Sequence, residues 1–126
     1  MIYLSSYFLK EKKICDVIDV LKKHGVTNIE LSGGTDYYEN IESDLVSFKE
    51  RDNTNFIVHN YFPPPKEHFV LNLASLNEQT YNSSLEQIKK AIDLSVKLGT
   101  NKYSFHSGFF FEFDMKDIGT ISEKKK

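Results

Sequence analysis

Along this chain the apolar positions alternate between short continuous runs and helical spacing. Ile2 to Phe8 is an apolar and aromatic run that suits a buried strand. After Lys10 to Lys13 the period changes: Ile14, Val17, Ile18 and Leu21 fall at i, i+3, i+4 and i+7, one stripe of an amphipathic helix. A basic last turn of Lys22, Lys23 and His24, then Gly25, supplies its stop. Val26 to Leu31 gives a second buried strand, ended by the flexible Ser32-Gly33-Gly34. Beyond a loop with Tyr37 and Tyr38, Asn40 is placed to cap a second helix whose stripe is Ile41, Leu45 and Phe48, closed by the polar Arg51-Asp52-Asn53. Phe56 to His59 is the third strand.

Pro63, Pro64 and Pro65 lack amide donors and fix φ, so they stop that strand and open a long excursion over residues 60–82. Within it, Asn72 to Leu76 reads as a short helical turn. Ser83 and Glu86 match a capping box for a third helix with Leu85, Ile88, Ile92 and Val96 on its buried side and Gly99 after it. Tyr103 to His106 is the fourth strand, and Ser107-Gly108 turns out of it into the aromatic stretch Phe109 to Phe113. Strands and helices in strict alternation mean parallel strands joined by right-handed crossovers, an α/β fold. Residues 1–113 read as one domain, and 114–126, ending Glu-Lys-Lys-Lys, as a loose basic tail.

Composition narrows the partners. Charged residues make up 27% of the 126 and nearly cancel, with a net charge of -2, so no strong field favours nucleic acid or membrane. A single cysteine, Cys15, forbids an intramolecular disulfide and makes the cytoplasm the default compartment. The N-terminus lacks a basic leader followed by a long apolar run, so neither signal peptide nor membrane span is expected.

In parallel α/β folds the chemistry gathers at the C-terminal ends of the strands. Here those ends carry Glu30, His59 with Asn60, and His106 with Ser107. Neighbouring strands lie about 4.8 Å apart, so one metal ion could sit within reach of both His59 and His106, but position alone favours the plainer reading in which each histidine donates to a nearby carbonyl. Glu30 either points into the mouth of the sheet or forms an ion pair. Tyr7, Tyr61 and Phe62 line a pocket or simply pack. His24 and His68 attract less interest, the first in a last helical turn and the second in a charged loop. No phosphate-loop, Gly-x-Ser-x-Gly or Cys-x-x-Cys pattern is present, and Ser32-Gly33-Gly34 alone is a weak phosphate signal.

The run His59-Asn-Tyr-Phe-Pro63, then Asn72-Leu-Ala-Ser75, then Ser84, Ala91 and Leu98-Gly99, then Phe105-His-Ser-Gly108 resembles the third-to-fourth-strand region of the xylose-isomerase-like barrels, which include endonuclease IV and the sugar phosphate isomerase/epimerase proteins. Ser107 stands where their His-Pro-Gly motif has proline. The resemblance implies part of a (β/α)8 TIM barrel, its N-terminal half, with about four parallel strands and three crossover helices. It further implies that His59 and His106 bind a divalent metal, zinc or manganese; Tyr7, Glu30, Asn60, Tyr61 and Ser107, at or near the strand ends, are the candidate substrate-binding residues. The second strand, Ile29-Glu-Leu-Ser-Gly33, is closer to the isomerase/epimerase branch, and the first lacks the Ala-Gly-Gly turn of the DNA-repair members. A small sugar-like substrate and proton transfer next to a carbonyl follow from the resemblance. In the family, strands five to eight complete the metal shell, so the expected isolated half is inactive.

Two alternatives remain: zinc-dependent cleavage at abasic sites in DNA, and a non-catalytic half-barrel that dimerises or pairs with a partner chain supplying the other half. An open sheet with an apolar inner face would favour such pairing.

Overall fold

A computed structural model describes residues 1–112. Its sheet has four parallel strands, Leu4–Ser5 (β1), Asn28–Leu31 (β2), Asn55–His59 (β3) and Tyr103–Ser104 (β4), in the spatial order β1-β2-β3-β4. Three helices connect them: Ile14–Lys23 (α1), Ile41–Asp52 (α2) and Glu78–Lys97 (α3). The α/β class and the parallel order match the alternation in the sequence. The expected tail, with Phe113, lies outside the described residues.

Strand register explains where the core sits. Ile29 lies opposite Phe56 and Leu31 opposite Val58. All four are buried with Ile14, Val17, Ile18 and Leu21 of α1, Ile41, Leu45 and Phe48 of α2, and Ala91 and Leu94 of α3. Each fully buried aliphatic side chain stabilises the fold by roughly 1.5–3 kcal/mol, so this one layer dominates folding. Strands in sequence order joined by crossovers of one hand place every helix on one face.

The other face carries the alternate positions. Ser5 aligns with Glu30, Glu30 with Ile57 and His59 with Ser104; lower down, Asn55 Nδ2 donates to Asn28 Oδ1 at 2.9 Å. No helix among the described residues covers this face. It is polar apart from Ile57, which corrects the expectation of an apolar inner face: the residues alternating with the core are Asn, Ser, Glu and His.

Element ends differ from the sequence reading for identifiable reasons. The first strand shrinks to two residues because Ser6 leaves the ladder, its Oγ accepting from Ser32 N (2.9 Å) and donating to Ser32 O (3.4 Å), and a 3-10 turn follows over Ser6–Phe8. Asn40 stands at the N-cap of α2 but makes no side-chain capping bond; instead its carbonyl accepts from Ser43 Oγ and Asp44 N. Asn53 ends α2 in the left-handed region at φ 50°. The third helix starts at Glu78, not near Ser83, with Asn77 Oδ1 accepting from Thr80 N. Ile92 and Val96 are 47% and 72% exposed, which corrects their expected burial. The face of α3 that packs is Ser84, Gln87, Ile88, Ala91, Leu94 and Ser95. Gln87 Nε2 donates to Pro63 O at 2.6 Å, so polar members of this face satisfy the proline segment they bury.

Candidate functional site

The ends of β3 and β4 are joined by one residue. Asn60 follows β3 with φ 40°, a left-handed conformation that Asn tolerates better than most residues. There its N–H donates to Ser104 O (2.6 Å), its Oδ1 accepts from His106 N (3.2 Å) and its carbonyl accepts from Tyr103 Oη (3.2 Å). Asn60 thus uses its backbone and side chain to fix where His106 leaves the sheet. The fourth strand stops at Ser104 because these bonds replace the regular ladder.

His59 and His106 meet at this rim. Their ring centroids are 5.6 Å apart with planes at 84°. Two imidazoles bound to one tetrahedral ion stand with centroids about 5 Å apart, given metal–nitrogen distances near 2 Å, so the observed separation fits shared ligation. His59 Nδ1 shares a 2.9 Å hydrogen bond with Ser104 Oγ, the kind of contact that orients a metal-binding imidazole through its second nitrogen. An edge-to-face aromatic contact has the same geometry without an ion. Among the described residues no group of three or more His, Cys, Asp or Glu side chains converges as a metal cage.

Beside this pair, a recess of about 320 Å³ opens over the ends of β1, β2 and β3. Tyr7, His59, Asn60 and Tyr61 line it together with the loop Ser32–Thr35, Pro64 and His68. Four of the residues expected at a site are therefore brought together, while Glu30, His106 and Ser107 are not part of this wall. Glu30 is half-buried on the open sheet face, between Ser5 and Ile57. Ser107 is exposed, and its carbonyl accepts from Leu73 N at 3.1 Å.

Tyr61 presents its ring but not a spare hydroxyl. Its Oη donates to Phe69 O and accepts from Phe69 N, both at 2.6 Å, which closes the segment that carries His68. Burial raises the Tyr61 pKa above its ordinary value, and the contact with the Phe69 backbone opposes that rise. His68 stacks on the Tyr61 ring, 6.3 Å between centroids and 18° between planes. Sequence reasoning set His68 aside and did not single out Thr35. Both reach the recess through loop closure, and the only local signal was their proximity to glycines or prolines.

No family model, curated protein or solved structure matches the chain. Among the described residues, no helix is long and apolar enough to cross a membrane.

Proposed function

We propose that the chain forms part of a xylose-isomerase-like (β/α)8 barrel acting on a small sugar, by proton transfer next to a carbonyl with the help of a divalent metal, zinc or manganese. The observation that carries this reading is the His59–His106 pair, two imidazoles in contact on the strand-end rim of a parallel sheet. His59 and His106 would hold such an ion, which would polarise the sugar's oxygens when bound. Ser104 would orient His59, and Asn60 would hold the backbone of His106, so both rings are positioned before substrate arrives. Tyr7 and the Tyr61–His68 stack offer flat faces for a sugar's C–H groups.

Two imidazoles are fewer than the three protein ligands usual for catalytic zinc. The remaining ligands would come from strands added to the sheet or from a second chain. The test is zinc and manganese affinity of the protein against its His59→Ala/His106→Ala variant. Weaker binding by the double variant is expected, and unchanged affinity sinks the reading.

A second reading rests on a different observation: among the described residues β1 and β4 each have one unpaired edge, and helices cover only one face. A half-barrel completed by a second copy of the chain would satisfy both features. Sedimentation separates the readings, because a monomer at all concentrations excludes self-pairing. Cleavage at abasic sites has less support, since no Lys or Arg lines the recess, whereas a DNA backbone calls for an extended basic face.

A further inference from the structure

Ile92 and Val96 of α3 are 47% and 72% exposed, and with Ile88 and the half-buried Leu85 they form one apolar stripe at helical spacing. The opposite flank of the helix is turned to α2: Lys97 Nζ donates to Glu42 Oε2, and Ser83, Glu86 and Lys90 line the groove between the two helices. The stripe therefore looks outward past β4, the last strand of the sheet.

The strand under this flank is itself unpartnered on its outer side. Asn60 N donates to Ser104 O, so Ser104 turns its backbone to β3 and, by the alternation of an extended chain, Tyr103 and Phe105 turn theirs to the open edge. Phe105 is 41% exposed there. Open strand edges and contiguous exposed apolar stripes are the features that recruit another chain.

The stripe is self-complementary. In an antiparallel pairing of α3 with a second α3 about an axis near Lys90 and Ala91, Leu85 meets the partner's Val96 and Ile88 meets the partner's Ile92. The same axis sets Lys89 against the partner's Asp93 and Asp93 against the partner's Lys89, so apolar and charged positions match in one register. An axis normal to the sheet also lays β4 antiparallel to the partner's β4. With those strands about 4.8 Å apart across a flat junction, the two α3 helices, each seated over β3 and β4, stand about 10 Å apart, the spacing of packed helices. A second copy of the chain thus covers the strand edge and the stripe in a single operation.

We infer that α3 and β4 form a twofold contact between two copies of this chain. The contact is independent of the metal reading, because antiparallel strands put the two histidine pairs at opposite ends of the dimer. It also differs from a completed half-barrel, which would seat β4 beside the partner's β1.

The test is sedimentation equilibrium of the full chain and its variants. A dimer that dissociates on dilution and grows no further is expected, since a twofold contact closes on itself. Ile92→Glu and Val96→Glu, each placing a charge in the stripe, should weaken it about a hundredfold. Lys89→Glu should weaken it about tenfold by setting like charges together, and Lys89→Glu/Asp93→Lys should restore it. Should either stripe variant fail to fold, the charge swap on the exposed flank still decides the matter. Ile2→Glu, at the far edge of the sheet, should leave the dimer intact. A monomer at every concentration, a dimer indifferent to both stripe variants, a dimer lost in Ile2→Glu, growth beyond two copies, or a charge swap that fails to restore would each overturn the contact. His59→Ala/His106→Ala should dimerise as the wild type does whatever its metal affinity, so this inference and the metal reading fail separately.

Discussion

Asn72 and Gly108, thirty-six positions apart, occupy each other's space: a Cβ on Gly108 would collide with Asn72 Oδ1. That oxygen accepts from Ala74 N (3.0 Å) and Phe109 N (2.9 Å), while Asn72 N donates to Ser84 Oγ (2.8 Å). One buried residue thus ties the excursion after β3 and the segment leaving β4 through its side chain, and the helix α3 through its backbone N–H. The Asn-Leu-Ala-Ser and His-Ser-Gly motifs, remote in sequence, meet here as one unit that holds the rim.

Replacing Gly108 by Ala should destabilise the protein by about 2–3 kcal/mol, through the collision and the strained backbone at φ 149°. Asn72→Ala orphans two amides and should cost roughly 2 kcal/mol. Because the two share one contact, the double variant should cost less than the sum of the singles. Urea denaturation of the three variants measures this; strict additivity would show that the residues are uncoupled.

Asn60 offers a cleaner separation of conformation from contact. Asn60→Gly accepts φ 40° but loses the Oδ1 bond to His106 N, and should cost about 1 kcal/mol. Asn60→Val loses the same bond and adds a β-branched side chain in the left-handed region, so its cost should be larger by about 1–2 kcal/mol. Equal denaturation midpoints for the two would mean that the backbone conformation relaxes.

The third helix shows what the sequence could and could not convey. For α1 and α2 the stripes Ile14-Val17-Ile18-Leu21 and Ile41-Leu45-Phe48 are buried as their spacing indicated, because large aliphatic and aromatic side chains leave no other face to bury. In α3, Ile92 and Val96 extend the spacing of Ile88 but lie exposed, and Ser84, Gln87 and Ser95 are buried in hydrogen bonds to Asn72, Pro63 and Ala91. Polar residues buried by such bonds carry no periodic apolar signal. The histidine pair was legible because His59 ends β3 and His106 follows the adjacent parallel strand β4 by two residues, whereas Thr35 and His68 depend on loop paths that no local pattern encodes. Since Asn77 caps α3, Asn77→Ala should cost about 1 kcal/mol by thermal or urea denaturation, and Ser83→Ala much less. The reverse order would place the helix start at Ser83.

Tyr103 should give a pH signature. Burial raises its phenol from the ordinary 10.0 to about 12. A folded-state pKa above the unfolded one favours the protonated folded form. The associated stability is complete below the ordinary tyrosine value and is lost as pH rises from there through about 12. Tyrosinate absorbance of the wild type minus that of Tyr103→Phe isolates this group. A difference titration centred at the ordinary value would contradict the burial.

Cys15 should be a sluggish thiol. Its Sγ lies 3.0 Å from Tyr38 Oη and 3.5 Å from Asp44 Oδ2. Burial raises its pKa above the ordinary 9.0; the Tyr38 contact lowers it and the Asp44 carboxylate raises it. Only the thiolate reacts, so below the thiol pKa each unit of elevation reduces the rate about tenfold. Alkylation at neutral pH should therefore be slower than for an unfolded-peptide thiol, and should keep rising with pH beyond the ordinary thiol range. Asp44→Asn removes a negative charge that disfavours the thiolate and should speed the reaction. Tyr38→Phe removes the hydroxyl that favours the thiolate and should slow it. The opposite ordering of these two variants would place the thiol in a different environment between α1 and α2.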